Sequence, residues 1–109
     1  MSKELAETIL MKYGESLNEI GVNNWAVPLS ISTSVLKELY QNKIAVLGGD
    51  LLKKTGGNQL NYVYANWYCE KLINENDLEF LNRSFLVAQQ FIEAVVEKWE
   101  EELYIEFVV

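Results

Sequence analysis

The side chains that could carry chemistry are few in this chain of 109 residues. There is no histidine and only one cysteine, Cys69, which rules out a Cys/His zinc site, a histidine general base and an intrachain disulfide. Cys69 ends an apolar run and is predicted to be a small core residue. No pair among the 16 acidic residues is singled out for a glycosidase-type mechanism. We therefore predict no catalytic residue, no metal site and no cofactor.

The run Gly48-Gly49-Asp50 is a second feature with chemical potential. A phosphate-binding loop would need a following Lys-Ser/Thr pair and the start of a helix, and both are missing. Glycines inside a strand mark a bulge or the close approach of another group, for which Trp67 or Trp25 is the candidate. Asp50 must face solvent or find a donor, because burying an unpaired carboxylate costs a large desolvation energy.

Apolar residues at helical spacing predict the elements that position these side chains. The predicted helical segments are a helix from Ser2 to Gly14, a short turn from a capping box at Ser16 to Gly21, a helix capped by Ser30 or Ser32 that ends near Asn42, and a long helix that begins at a capping box of Asn76 and Glu79. Residues 23–28 are predicted to be an irregular connection, because Pro28 favours an extended conformation at Val27.

Alternating apolar residues predict three strands, over residues 44–52, 60–68 and 103–109. The first two form a hairpin. A right-handed crossover through the long helix sets the last strand antiparallel to the first, which gives the sheet order 2-1-3 with strand one in the middle. We predict one α+β domain over residues 1–109, with helices on one face of a small, mostly antiparallel three-stranded sheet.

The length of the hairpin turn decides which face of the sheet carries Asp50. A two-residue turn over residues 56–57 places Asp50 opposite Val63, whereas a three-residue loop over residues 56–58 places it opposite Tyr64. We favour the second register because it leaves a uniformly apolar face for the long helix, made of Leu47, Leu51, Val63, Ala65 and Trp67. The other face then carries Asp50 among Tyr62, Tyr64, Asn66 and Tyr68.

The net charge of −7 bounds the classes of partner. The field at neutral pH repels phosphate backbones and anionic lipids, so nucleic-acid and membrane partners are disfavoured. The first four residues lack the apolar stretch of a signal peptide, and no run reaches the roughly eighteen apolar residues of a membrane span, so a cytoplasmic protein is predicted. Acidic residues near the end of the long helix oppose its dipole, which indicates a use in binding: they are Glu97, Glu100, Glu101 and Glu102.

Several segments together resemble the immunity protein 40 family of bacterial polymorphic-toxin systems. The motifs that carry the resemblance are Asn24-Trp25-Ala26, Ile44-Ala45-Val46-Leu47-Gly48-Gly49-Asp50, Asn66-Trp67-Tyr68-Cys69 and Arg83-Ser84 followed by residues 87–92. The resemblance covers roughly residues 14–95, and Leu51 departs from it where a β-branched residue is expected. It implies a protein that binds and neutralises a toxin encoded beside it, and it does not name the toxin.

We therefore predict a non-enzymatic inhibitor of a cognate toxin protein. The acidic charge agrees, because toxins that act on nucleic acid carry basic clefts which an acidic partner finds quickly. Two alternatives remain open: a small-ligand or regulatory domain with a closed pocket over the tyrosine face, and an acidic nucleic-acid mimic with carboxylates along a ridge. The predicted partner-binding residues are Asp50, Tyr62, Tyr64, Asn66, Tyr68, Glu100, Glu101 and Glu102.

Overall fold

The computed structural model describes residues 2–99 and 101–109, and their fold is of the predicted α+β class. In chain order the elements are α1 (Ser2–Tyr13), β1 (Glu15–Ser16), a 3-10 turn (Asn18–Ile20), β2 (Trp25–Pro28), α2 (Leu29–Gln41), β3 (Gly48–Thr55), β4 (Gln59–Tyr68), α3 (Asp77–Lys98) and β5 (Tyr104–Val108). None of the described helices is both long enough and apolar enough to cross a membrane.

The described residues form a five-stranded sheet with the order β1-β2-β5-β3-β4, and every pair of neighbours is antiparallel. The predicted strands are β3, β4 and β5, with β3 between the other two, but the prediction of a three-stranded sheet is wrong. Residues 25–28, predicted to be irregular, form β2 and pair with β5 through Ala26 and Glu106. Pro28 is compatible with this strand because it is the last residue of it.

The central position of the sheet belongs to β5, not to the segment 44–52 as predicted. The first four residues of β5 are buried, which agrees with a strand that has neighbours on both sides. Ile44 and Val46 are buried in the core, but the segment 44–47 has no regular structure and β3 begins only at Gly48. A short apolar run is compatible with any buried backbone, so its composition alone did not define a strand.

The predicted helix starts had different outcomes. The capping box at α3 is confirmed, because Asn76 Oδ1 accepts from Glu79 N at 2.8 Å and Glu79 Oε1 accepts from Asn76 N at 2.9 Å. The start of α2 is at Leu29, where neither predicted serine caps it; Ser32 is buried and donates to the Leu29 carbonyl. The capping box at Ser16 is also absent, and its Oγ accepts a hydrogen bond from Asn18 N.

Apolar side chains fill both sides of the sheet. The main core lies between the helices and the sheet, and its largest fully buried members include Leu10, Leu36, Leu51, Ile105 and Phe107. Val63, Ala65 and Trp67 pack against this core as predicted, whereas Leu47 is 43% exposed. A smaller core on the opposite face joins Leu17, Ala26, Leu52, Leu60 and Tyr104, with Ile20, Val22 and Tyr62 packed against it. The segment 17–22 therefore covers part of the tyrosine face. The prediction that this face is open is wrong for the covered part.

Candidate protein-binding surface

Strand β4 lies at the end of the sheet and pairs only with β3 among the described residues. Its outer backbone edge is therefore open to another chain. Most proteins protect such an edge with lysine, proline or a bulge, because an unprotected edge pairs readily with other strands. The sequence of β4, QLNYVYANWY, contains no charged residue and no proline. An irregularity in its pairing with β3 gives this edge one such form of protection.

The irregularity is a bulge of two extra residues in β4. Thr55 pairs with Gln59, which confirms the predicted three-residue loop over residues 56–58. Leu52 then pairs with Tyr62 and Asp50 with Asn66, so one residue of β3 faces three residues of β4, 63–65. The prediction that Asp50 lies opposite Tyr64 is wrong for this reason. Two extra residues preserve the alternation of faces, so Asp50 still shares its face with Tyr62.

The bulge turns Tyr64 out of the sheet. Its φ is 59°, in the left-handed region that a bulky residue adopts only at a cost, and its side chain is 93% exposed. Tyr68, the last residue of β4, is 82% exposed, and Asn66 between them is also exposed. The free edge thus presents two tyrosines and an amide to solvent.

Tyr62 has a different environment, because it belongs to a network inside the sheet face. Its hydroxyl donates to Glu106 Oε1 at 2.8 Å, and Glu106 Oε2 accepts from Asn24 Nδ2 at 2.8 Å. Burial, and then the neighbouring Glu106 carboxylate, raise the pKa of Tyr62 well above its ordinary value. Sequence reasoning missed Glu106, although a lone acid in the apolar run of β5 was the available signal.

A cavity of about 550 Å³ opens beside Asp50 at the end of the sheet where β4 terminates. Its lining includes Gly48 and Asp50 of β3, Asn66 and Tyr68 of β4, and Val108 of β5. Two of the motifs that carry the family resemblance, residues 44–50 and 66–69, thus supply much of its wall. Asp50 is half-buried here and makes no hydrogen bond or ion pair with any described residue.

The inner wall of this region depends on Gly49. A Cβ at Gly49 would overlap the indole of Trp67 and the backbone carbonyl of Glu106, so Trp67, one of the two tryptophans predicted as candidates, approaches this glycine. The Trp67 ring also lies 4.5 Å from that of Phe91 in α3 and 6.2 Å from that of Phe107, measured between centroids. This packing anchors β4 to the helical layer directly beneath the exposed tyrosines.

Arg83 of α3 fastens the connection that follows β4. Its Nε and Nη2 donate to Glu75 Oε2 at 2.6 Å and Oε1 at 2.8 Å, and Nη1 lies 3.3 Å from the sulfur of Cys69. Its Nη2 also donates to the carbonyl of Glu70. The Arg83 hydrogen bond lowers the pKa of Glu75 to about 2. Cys69 is buried, as predicted, and the resemblance named Arg83 without indicating this role.

The predicted acidic residues lie apart from the tyrosines. Glu101 Oε2 is 3.4 Å from the Nζ of Lys53, whose position in β3 alternates with that of Asp50 and therefore lies on the helical side. Glu101 and Glu102 also line a separate cavity of about 380 Å³ beside α2 and α3. Glu100 lies outside the described residues. The tyrosines of β4 and the acidic residues Glu101 and Glu102 thus lie on different sides of the molecule. Their positions in the sequence did not indicate this separation.

No described cluster of three or more acidic or cysteine side chains is arranged to hold a metal ion. What the described residues assemble at the end of β4 is instead suited to contact with another protein: a free strand edge, two exposed tyrosines and a carboxylate in a cavity.

The comparisons with known proteins support one family. No curated protein and no solved structure is significantly similar to the chain. The sequence pattern described as immunity protein 40 matches residues 16–109, nearly the whole chain, and leaves out residues 1–15, which include the helix α1. It includes β5, which the resemblance seen in the sequence did not reach. The chain belongs to the immunity protein 40 family.

Proposed function

We propose that this protein neutralises a cognate toxin by binding it, without catalysis, in the cytoplasm of the cell that makes both. Membership of the immunity protein 40 family is the observation that carries the proposal. The lack of a histidine in the chain is consistent with an inhibitor that acts stoichiometrically.

The toxin contacts, in this proposal, the outer side of β4 together with the cavity beside Asp50. Tyr64 and Tyr68 supply large contact areas at a low entropic cost, because a tyrosine side chain has only two main torsions to fix. Asn66, between them, adds an amide that can donate and accept. Tyr62 stabilises this surface indirectly, because its hydroxyl donates a hydrogen bond to Glu106.

The acidic residues Glu101 and Glu102, with Glu100 beside them in the sequence, have a different role in this proposal. They contribute to the field that attracts a basic partner and lie outside the central contact area. The exposure of Glu101 and Glu102, and the ion pair of Glu101 with Lys53 on the helical side, support a role in the rate of encounter.

Of the two alternative functions, the small-ligand domain required a closed pocket over Tyr62 and Tyr64. Neither tyrosine lines the cavity beside Asp50, and Tyr64 projects into solvent. The nucleic-acid mimic required carboxylates spaced along an extended ridge, whereas the acidic residues cluster mainly at the end of the long helix. Glu15, Glu75, Asp77 and Glu101 are also each paired with a lysine or arginine. Toxin binding is therefore the function that we propose.

Co-expression tests this function directly. The toxic domain encoded by the adjacent upstream reading frame is expressed alone, with the wild-type chain, and with a Tyr64→Ala/Tyr68→Ala variant. We expect the wild type to restore growth and to co-purify with the toxin, and the double variant to do both poorly. The matched control is Leu86→Ala, which removes an exposed apolar side chain from α3 and should leave protection intact.

Growth arrest that persists with a folded wild-type chain would overturn the proposed function. Full protection by the folded double variant would overturn the surface assignment alone, and the helical surface would then be the next region to map.

A further inference from the structure

The cavity beside Asp50 is built from two rows of paired residues on one face of the sheet. In the first row, Gly48 lies between Tyr68 and Val108. In the second row, Asp50 lies between Asn66 and Glu106. A Cβ at Gly48 would overlap the backbone carbonyl of Trp67, so this position is held without a side chain. Gly48 therefore contributes only backbone to the cavity, and the side chains of Asp50 and Tyr68 line it on either side of the glycine.

The charged residues in and around the cavity beside Asp50 favour the binding of a cation. Asp50 has no partner among the described residues, and its neighbour Glu106 adds a second carboxylate whose own hydrogen bonds are already made. Glu70 contributes a third acidic group to the lining. The one cation of the lining, Lys71, is held by Asp77 at 2.5 Å. A half-buried carboxylate next to another carboxylate is costly unless a positive group approaches it.

We propose that this cavity receives an arginine side chain of the toxin, an inference that rests on the proposed function. A guanidinium group is planar, donates two parallel hydrogen bonds to a carboxylate and stacks on an aromatic face. The cavity offers the Asp50 carboxylate and, at its mouth, the exposed Tyr68 ring. The amide of Asn66 supplies an acceptor oxygen for the remaining N–H groups. A lysine would use the charge of Asp50 but not the planar stacking surface, so arginine fits better.

The first experiment tests the cavity without the toxin. N-acetylarginine amide is titrated into the ¹⁵N-labelled wild-type chain, and backbone amide shifts are recorded. We expect changes centred on residues 48–50 and 66–68, none with the neutral isostere N-acetylcitrulline amide, and none in Asp50→Asn. The control Glu93→Gln removes an exposed carboxylate of α3 and should respond as the wild type does. An absent or scattered response, or an equal response to the citrulline compound, would overturn the proposal.

The second experiment uses the toxin and separates the cavity from the function. Asp50→Asn should weaken the affinity by about 10-fold or more, because the toxin's charge would be buried without its partner. Glu93→Gln should leave the affinity unchanged. A double-mutant cycle then identifies the toxin arginine that couples to Asp50. Replacing that arginine should weaken the binding of the wild-type chain but cause no further loss of affinity in Asp50→Asn. Equal toxin affinity for Asp50→Asn and the wild type would refute the cavity inference while the inhibitor function stands, whereas a wild-type chain that binds no toxin would refute the function.

Discussion

Asp50 of β3 and Glu106 of β5 are direct partners in the antiparallel ladder, so two carboxylates lie side by side on one face of the sheet. Glu106 has two donors, Tyr62 and Asn24, and Asp50 has none among the described residues. Like charges directly opposite each other destabilise a sheet. We therefore expect this pairing to be unfavourable in the free protein and to be relieved when a cation binds at Asp50.

The first prediction is that Asp50→Asn stabilises the free protein while it weakens toxin binding. The substitution removes the repulsion with Glu106 and should raise the free energy of unfolding by about 0.2–1 kcal/mol. Urea unfolding measures the change, and added salt should reduce it because salt screens the charges. Glu93→Gln, with no carboxylate partner across a ladder, is the control. A loss of stability in Asp50→Asn would show that Asp50 has a favourable partner in solution.

A second prediction concerns the backbone of Tyr64. Because its φ is 59°, glycine should suit this position better than alanine, by about 1 kcal/mol in the free energy of unfolding. At Tyr68, which has no such conformation, the order should be reversed and alanine should be better than glycine. Chemical unfolding of the four single variants measures both differences. The same order at both positions would contradict the left-handed conformation of Tyr64.

The third prediction is that Tyr68 and the acidic pair Glu101 and Glu102 affect different rate constants of toxin binding. Tyr68→Ala should mainly raise the dissociation rate, because it removes contact area from the formed complex. Neutralising Glu101 and Glu102 together should mainly slow association and flatten its dependence on salt. Surface plasmon resonance at several salt concentrations measures both rates. A slower association for Tyr68→Ala with an unchanged dissociation rate would reverse the assignment.

Gly49 provides a fourth prediction. A Cβ there would overlap Trp67 and the Glu106 carbonyl, so Gly49→Ala should lower the free energy of unfolding by about 1–3 kcal/mol. In a Trp67→Leu background the cost of Gly49→Ala should be smaller, because the side-chain part of the overlap is gone. It should not disappear, since the backbone carbonyl of Glu106 remains. If Gly49→Ala lowers the free energy of unfolding equally in the wild-type and Trp67→Leu backgrounds, the indole does not lie on Gly49.

The fifth prediction is a dependence of stability on pH. The Glu75 carboxyl titrates near 4.5 when unfolded, and its pKa in the folded chain is about 2. The contribution of its pairing with Arg83 is therefore fully present above about pH 4.5 and is lost as the pH falls toward 2. Glu75→Gln should be less stable at neutral pH and should lose less stability over this acidic range. Glu93→Gln should keep the wild-type pH slope, and an unchanged slope in Glu75→Gln would contradict the pairing.

Sequence patterns predicted the helical layer and the hairpin loop, because their signals are local. The capping box of Asn76 and Glu79 and the three-residue loop over 56–58 each depend on a few adjacent residues. The approach of Trp67 to a strand glycine was also predictable, because a glycine in a strand leaves space for a neighbour.

The missed features depend on contacts between distant parts of the chain. Strand β2 is four residues long and ends in proline, and it exists because β5 pairs with it from about eighty positions away. The bulge at residues 63–65 leaves no signal in the composition of β4. A uniform register, which places Asp50 opposite Tyr64, is therefore wrong at this position. The separation of Glu101 from the tyrosines follows from the path of the chain after α3, which charge patterning does not encode.

The central place of β5 has a consequence for how the chain folds. The pairs β1-β2 and β3-β4 are each made by segments close in sequence, but only β5 joins them into one sheet. During synthesis both halves are made before the strand that unites them, so each exposes an unpaired edge in the interval. Closing a sheet through such long-range pairing is slow compared with forming a helix, and nascent chains in this state are prone to associate with one another. The insertion of β5 is thus the step that joins the two halves of the sheet and ends this exposure.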